Sequence, residues 1–237
     1  MENNFSRIKM EPRQILLIPP IKEQICQNLT FEEAVNLRNA LNLPNLKCSF
    51  RINDPDGQVI ILKGVNNHTI SAYYMITKFG SKNTLVNSSK FNNLPIINIL
   101  LENNIDLEAS DYLGNLALIS AIKHNHLETA KLLIEHGANI NASSFEGTPL
   151  YLAVSKGNLD MVKLLLENGA DVNTLYRFRS VLIVASAQGH LEIVKALFQY
   201  GTPNINLPDW EGQTALTYAL QNNHSEIVEY LKQHGAR

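Results

Sequence analysis

Apolar residues recur at helical spacing in two near-identical stretches of this chain. Residues 157–173 read GNLDMVKLLLENGADVN, and residues 126–141 read HLETAKLLIEHGANIN. The first stretch predicts a helix over residues 159–167, because its apolar side chains fall on one helical face. That face carries Met161, Val162, Leu164 and Leu165. Gly169 follows the helix and predicts its end in the left-handed conformation.

The two stretches belong to a longer repeat, which we number from an anchor residue at the start of its first helix. The anchors are residues 116, 148, 180 and 214, so successive copies are 32, 32 and 34 residues apart. Every copy has leucine at +2 (Leu118, Leu150, Leu182 and Leu216), alanine at +5 (Ala121, Ala153, Ala185 and Ala219) and glycine at +21 (Gly137, Gly169, Gly201 and Gly235). Because one helix pair cannot bury its apolar face alone, the repeat predicts an all-α array with a shared core.

Two weaker copies precede these four. An anchor at Asn83 places Asn104 in the glycine slot, and an anchor at Val59 places Gly64 at +5 and Gly80 at +21. The short distance between Gly80 and Asn83 predicts a tight turn instead of the usual connecting hairpin.

The stretch EGTPLYLAVSKGNLDMVKLLLENGADVN resembles the ankyrin repeat, with Thr148-Pro149-Leu150 at its helix start and Gly-Ala-Asp-Val-Asn at its end. The resemblance covers about residues 50–237 and implies five to six repeats. It implies a non-catalytic module whose concave face binds a protein partner, and we expect a monomer. Leu116 departs from the pattern, because it has no hydroxyl to cap its helix.

The resemblance also implies that hairpin tips line one edge of the concave face. Four residues before the anchors stand Tyr112, Ser144, Tyr176 and Trp210, with further aromatic and basic residues beside them. Aromatic and arginine side chains are common at the centres of protein interfaces. The predicted partner-binding residues are Tyr112, Phe145, Tyr176, Arg177, Phe178, Arg179 and Trp210. The alternative is that these aromatic side chains pack against neighbouring hairpins.

The first fifty residues do not fit the repeat and predict a separate helical module, followed by the repeats over residues 51–237. Pro19-Pro20 predicts a helix start, and Thr30 with Glu33 forms a capping box that opens a second helix. This arrangement resembles the F-box, a helical hook that docks on the adaptor subunit of cullin–RING ubiquitin ligases. The docking residues that the resemblance implies are Ile18, Pro19, Ile21, Ile25 and Leu29, supported by Leu37. The alternative is an N-terminal cap that shields the first repeat.

An F-box joined to ankyrin repeats resembles effectors that intracellular bacteria or large viruses use on eukaryotic hosts. The implied function is a substrate-recruiting subunit of a ubiquitin ligase, acting in the host cytoplasm if the protein is a secreted effector. The alternative function is a plain ankyrin scaffold or inhibitor that binds a protein partner without any link to ubiquitin.

Composition narrows the remaining function classes. The formal net charge is −2, so no nucleic-acid partner is expected. Cys26 and Cys48 stand 22 residues apart, which is not a zinc-ligand spacing. No apolar run is long enough to span a membrane, and a cytoplasmic setting is expected. The histidines follow the repeat, and NDPDG at 53–57 predicts a turn and not a calcium loop. We expect no catalytic site, metal or cofactor.

Overall fold

The computed structural model describes residues 29–40, 46–55, 57–111, 114 and 116–237. The described residues contain twelve helices and two small strand pairs, which confirms the predicted all-α class. They fall into two compact units, one within residues 1–84 and 95–105, the other within residues 85–94 and 106–237. The predicted division at residue 50 stays a prediction, and a strand runs through that position.

The elements of the first part of the chain are α1 (Phe31–Ala40), β1 (Leu46–Asn53), β2 (Val59–Val65), α2 (Asn67–Phe79), α3 (Ser81–Lys90) and α4 (Leu94–Leu101). Those that follow are α5 (Ala117–Lys123), α6 (Leu127–Glu135), α7 (Pro149–Ser155), α8 (Leu159–Glu167), β3 (Leu175–Tyr176), β4 (Arg179–Ser180), α9 (Val181–Gln188), α10 (Leu191–Tyr200), α11 (Ala215–Gln221) and α12 (Ser225–Gln233).

Helix α1 begins with the predicted capping box. The Thr30 amide donates to Glu33 Oε2 at 2.7 Å, and the Glu33 amide donates to Thr30 Oγ1 at 3.3 Å. The backbone and hydroxyl hydrogen bonds from Thr30 lower the pKa of Glu33. The Phe31 ring stacks on Tyr73 with centroids 4.4 Å apart, and its edge meets Phe50 at 5.2 Å. These contacts fix α1 against β1 and α2.

Strands β1 and β2 form an antiparallel hairpin where the repeat pattern predicted a helix start. The prediction that Val59 opens a helix is wrong, because residues 59–65 are a strand. The residues alternate, with Phe50 and Ile52 buried opposite Leu62 and Ile60. This period of two gives the hairpin one apolar face, which a helix start at Val59 would have destroyed.

The turn of this hairpin nevertheless has the same hydrogen bonds as a later loop of the repeat. The Asp54 carboxylate accepts from the Gln58 amide at 2.6 Å, and the Gly57 amide donates to the Asp54 carbonyl at 3.0 Å. The later sequence Asp209-Trp-Glu-Gly212-Gln213 forms the same pattern of bonds. The predicted turn at NDPDG is therefore confirmed.

A capping box opens α2, and the predicted tight turn ends it. Asn66 caps α2 in a capping box with Thr69. Gly80 ends α2 with a φ of 81°, and α3 begins at the next residue, so the predicted tight turn is confirmed. The buried Asp54 carboxylate also accepts from the amide and hydroxyl of Ser81, which ties the hairpin turn to the start of α3. The Asn103 carboxamide pairs with the amide and carbonyl of Ile61 at 2.6 and 3.1 Å, so a side chain covers the β2 edge there.

Four helix pairs, α5–α6 to α11–α12, form the stacked part of the second unit. The hydroxyls of Thr148, Ser180 and Thr214 accept from the backbone amide three residues later. Leu116 makes no such side-chain bond, as predicted. The alanines at +5 are fully buried, so the small side chain lets successive first helices pack closely.

Left-handed residues end the helices at two fixed positions of the repeat. At +9, between the two helices, the residues with positive φ are Asn92, Asn125, Gly157, Gly189 and Asn223. At +21 they are Asn104, Gly137, Gly169 and Gly235. Gly201 is the exception, with an extended φ of −168°. A Cβ on Gly201 would lie 2.7 Å from Val172 Cγ2, so close approach requires glycine there.

Asparagine side chains connect successive repeats along the +25 and +26 positions. Asn141 Oδ1 accepts from the Asp171 amide at 2.9 Å, and Asn173 Oδ1 accepts from the Asn204 amide at 2.8 Å. Asn206 repeats the bond with the Arg237 amide at 2.9 Å. Each bond joins one copy to the next, so contacts between neighbouring repeats stabilise the array.

Candidate protein-binding surface

The loops that precede the anchors carry the predicted binding residues. We call residues 144–147, 176–179 and 210–213 tip 2, tip 3 and tip 4. Tyr112, in the equivalent loop before residue 116, lies outside the described residues. The other six predicted residues are described, and they divide into exposed side chains and side chains that hold the tips in place.

Tyr176 of tip 3 is held by tip 2. Its ring lies 4.9 Å from the Tyr151 ring, and its hydroxyl donates to the Phe145 carbonyl at 2.6 Å. Gly147 permits this contact, because a Cβ there would lie 2.9 Å from Tyr151. Burial raises the pKa of Tyr151. The alternative of packing against a neighbouring hairpin therefore describes Tyr176.

Tip 3 turns through two bulky residues in the left-handed region. Arg177 has a φ of 50° and Phe178 a φ of 64°, between the paired strands β3 and β4. Positive φ at both central residues is the geometry of a type I′ hairpin turn, which favours Asn-Gly. In the slot of Phe178, three of the other four loops have glycine (Gly57, Gly114 and Gly212), and tip 2 has Glu146. The turn therefore holds a strained aromatic residue where glycine is the usual solution.

Arg179 and Asp209 join tip 3 to the last repeat. Arg179 Nη2 donates to Tyr218 Oη at 3.0 Å, Tyr218 Oη donates to Asp209 Oδ2 at 2.8 Å, and Arg179 Nε lies 3.6 Å from Asp209 Oδ2. Burial acts to raise the pKa of Asp209, but the hydrogen bonds from Tyr218, Gln213 and Glu211 outweigh it and lower the pKa. Arg179 thus stabilises the tip, although its side chain keeps an exposed side.

Three aromatic side chains remain exposed at successive tips. Phe145 is 64% exposed, Phe178 is 73% exposed and Trp210 is 69% exposed. Leu175 beside tip 3 is also half exposed, and it is not among the residues predicted from the sequence. A comparison between copies could have found it, since the slot of Leu175 holds a polar residue in the others, namely Asp54, Asp111, Ser143 and Asp209.

Arg177 adds a positive charge to this apolar set. Its guanidinium carbon lies 5.2 Å from the Tyr176 ring centroid, a cation–π distance that leaves the side chain exposed. We call Phe145, Leu175, Arg177, Phe178 and Trp210 the tip surface. Its residues are large, exposed and held on loops fixed by hydrogen bonds, which is the chemistry of interface anchors.

The predicted ligase-docking residues are mostly outside the described part of the chain. Ile18, Pro19, Ile21 and Ile25 lie there, so their docking role stays a prediction. Leu29 precedes α1, and Leu37 lies on α1, and both are half-buried.

The histidines at +10 take part in contacts between repeats. A Cβ on Gly157 would lie 2.6 Å from His190 Nε2, and a Cβ on Gly189 would lie 2.7 Å from His224 Cε1. His126 Nε2 lies 2.9 Å from the Lys90 carbonyl oxygen. Among the described residues, no three His, Cys, Asp or Glu side chains gather in a way that could hold a metal. None of the helices in that part of the chain is long and apolar enough to cross a membrane.

The stacked helix pairs and exposed tips define a repeat array with a surface for macromolecules. A family model described as ankyrin repeats (3 copies) matches residues 58–144, 85–176 and 150–237. The chain belongs to the ankyrin-repeat family and is a protein–protein interaction module. A comparison with curated proteins gave no match.

Proposed function

We propose that the tip surface captures a protein partner and that the protein works as a non-catalytic recruiter. The partner presents an apolar segment to Phe178 and Trp210, with an acidic group for Arg177. Exposed aromatic side chains on rigid loops lose little side-chain entropy on binding, so they suit this role.

The strained turn at Arg177-Phe178 is the observation that carries the proposal. A left-handed conformation costs roughly 1–2 kcal/mol for an ordinary residue. Phe178 offsets little of that cost by burial, because most of its side chain is exposed. An exposed aromatic side chain at such a strained position supports a role in binding instead of in folding.

The test compares partner capture by the wild-type protein and by Trp210→Ala and Phe178→Gly. Quantitative mass spectrometry after affinity capture identifies proteins lost by both variants, and purified candidates are then titrated. We expect each variant to weaken binding at least about tenfold, with melting curves close to wild type. Tyr200→Ala, on α10 away from the tips, is the control. Equal capture by the wild-type protein and both tip variants would refute the proposal.

For residues 1–50 we propose the F-box-like role that the sequence resemblance implies. The protein would then dock on the ligase adaptor through its N-terminal module and present its captured partner for ubiquitin transfer. The capping box at Thr30 and Glu33 begins a helix where the resemblance requires one, which supports this role. A host-directed effector acting in the cytoplasm is part of the same proposal.

The alternative role of residues 1–50 is a cap that shields the first repeat, and the packing of α1 supports this role. Phe31, Ala34 and Val35 are buried, and Phe31 packs on Phe50 and Tyr73. A direct binding measurement with the full chain and purified ligase adaptor separates the roles. Micromolar binding that is lost in Ile21→Asp supports docking. Absence of binding at such concentrations leaves the plain scaffold or inhibitor.

A further inference from the structure

The helix pair α11–α12 exposes apolar positions that the earlier repeats bury. Position +6 holds Ile122, Val154 and Ser186 in the first three copies, and all three are fully buried. The same position in the fourth copy is Leu220, which is 50% exposed. Each earlier first helix packs on the next one, as α9 packs on α11. Leu220 therefore lies on the face that stacks on another repeat elsewhere in the array.

Position +14 repeats this contrast on the second helix. Ala130, Val162 and Val194 are fully buried, whereas Val228 is half-buried. Leu220 and Val228 line a groove of about 370 Å³ together with Ser225, Glu229 and Lys232. We call this groove the terminal face.

The polar residues of the terminal face differ from those of every earlier copy. Position +11 is leucine in three copies and Ser225 here, and position +18 is Ile, Leu or Phe in the others and Lys232 here. Position +15 is lysine in three copies and Glu229 here. The +18 side chain is buried in Leu166 and half-buried in Ile134 and Phe198, so a further repeat of the same kind would have to cover part of Lys232. Partial burial of that charge costs free energy without a paired charge. The face therefore does not suit another ankyrin repeat of this type.

Glu229 and Lys232 make the terminal face complementary to itself. They are three residues apart on α12, so both lie on one side of the helix. A two-fold axis between two antiparallel α12 helices places each Glu229 near Lys232 of the second copy. The same axis brings Leu220 and Val228 of both copies together.

In place of the monomer expected from the sequence, we infer that two copies of this chain associate through their terminal faces into a two-fold dimer. The interface is isologous, so it closes at two copies and does not propagate. Its apolar centre is small and its rim is charged, which makes the dimer a transient one that weakens at high salt. The tip surface remains outside the contact, and the dimer would display two tip surfaces.

The test is sedimentation velocity of the full chain over a wide range of protein concentration. We expect a reversible monomer–dimer equilibrium that Leu220→Lys abolishes. Glu229→Lys should weaken the dimer at least about tenfold, because it opposes like charges. The exchange Glu229→Lys with Lys232→Glu should restore it, since each charge again meets its opposite.

Lys163→Glu is the matched control, because it reverses a charge at +15 on α8 within the array. It should leave the dimer unchanged. Trp210→Ala should also leave the dimer unchanged, so failure of the dimer inference is distinguishable from failure of the proposed partner capture. Circular dichroism of each variant verifies its fold. A monomer at every concentration, a series of higher oligomers, or no restoration by the double exchange would overturn the inference. If the terminal face binds a helix of another protein instead, the chain would be a monomer at every concentration.

Discussion

Replacement of Phe178 by glycine tests the strain at tip 3. Phe178 has a φ of 64° and is largely exposed, so the variant releases backbone strain and loses few contacts. A second variant, Phe178→Ala, removes the same side chain but keeps an ordinary residue in the left-handed region. The difference between the two variants therefore isolates the backbone.

The expected magnitude follows from two opposing terms. An alanine at this φ costs roughly 1–2 kcal/mol. Glycine avoids that cost but loses roughly 0.5–1 kcal/mol more conformational freedom on folding. The glycine variant should therefore be more stable than the alanine variant by about 0.5–1 kcal/mol. At a helical site the order reverses, and alanine is favoured by a similar amount.

Urea denaturation followed by circular dichroism at the helical band measures this difference. The matched control is the pair Gln199→Gly and Gln199→Ala, at an exposed position inside α10. We expect Phe178→Gly to have the higher midpoint at the tip and Gln199→Ala the higher midpoint in the helix. A lower midpoint for Phe178→Gly than for Phe178→Ala would refute the assignment of a left-handed turn.

Three other changes test the packing and the charges. Asp209→Asn should lower the free energy of unfolding by about 2 kcal/mol at neutral pH, where the lowered pKa keeps Asp209 ionised. This difference in stability from wild type, measured by denaturation, should be full above about pH 3.9. It should shrink as the pH falls through the lower pKa that Asp209 has in the folded state. Ser186→Ala should raise stability by about 1 kcal/mol, because the buried Ser186 hydroxyl has no hydrogen-bond partner among the described residues, and a loss of stability would contradict this. Gly201→Ala should lower stability by about 1–3 kcal/mol in the same assay, since its Cβ would press on Val172, and an unchanged midpoint would exclude that contact.

The sequence predicted the features of the fold that depend on local chemistry. Thr148 and Ser180 cap their helices as their hydroxyls suggest, and Asn104 takes the left-handed conformation predicted by its place in the glycine slot. Such features recur because each repeat meets the same neighbours, so the period alone locates them.

The hairpin β1–β2 was missed because the repeat period was extended through Val59. The competing signal was present in the alternation of Phe50 and Ile52 with polar residues, followed by Asp-Gly at the turn. The turn at Asp54 keeps the repeat register, but the residues after it alternate with a period of two. Tertiary pairing of the two strands then decided the conformation.

Contacts between residues that are distant in the sequence decide which of the predicted tip residues are exposed and which pack within the array. Tyr176 and Arg179 were predicted as partner contacts from their place at a hairpin tip and from their residue types. The structure places Tyr176 against Tyr151, and Arg179 against Tyr218 and Asp209. Those partners are 25 to 39 residues away along the chain, so only the stacking of repeats brings the groups together.

Site-directed photo-crosslinking tests the central claim that the tips, held out by a stacked array, contact a protein partner. A photoreactive phenylalanine derivative replaces Phe178 in one variant and Tyr200 in another, and both are irradiated in cells. We expect a discrete crosslinked protein at position 178 that is absent at position 200 and is reduced when Trp210→Ala is added. The same adducts at both positions, or an adduct at position 200 alone, would contradict it.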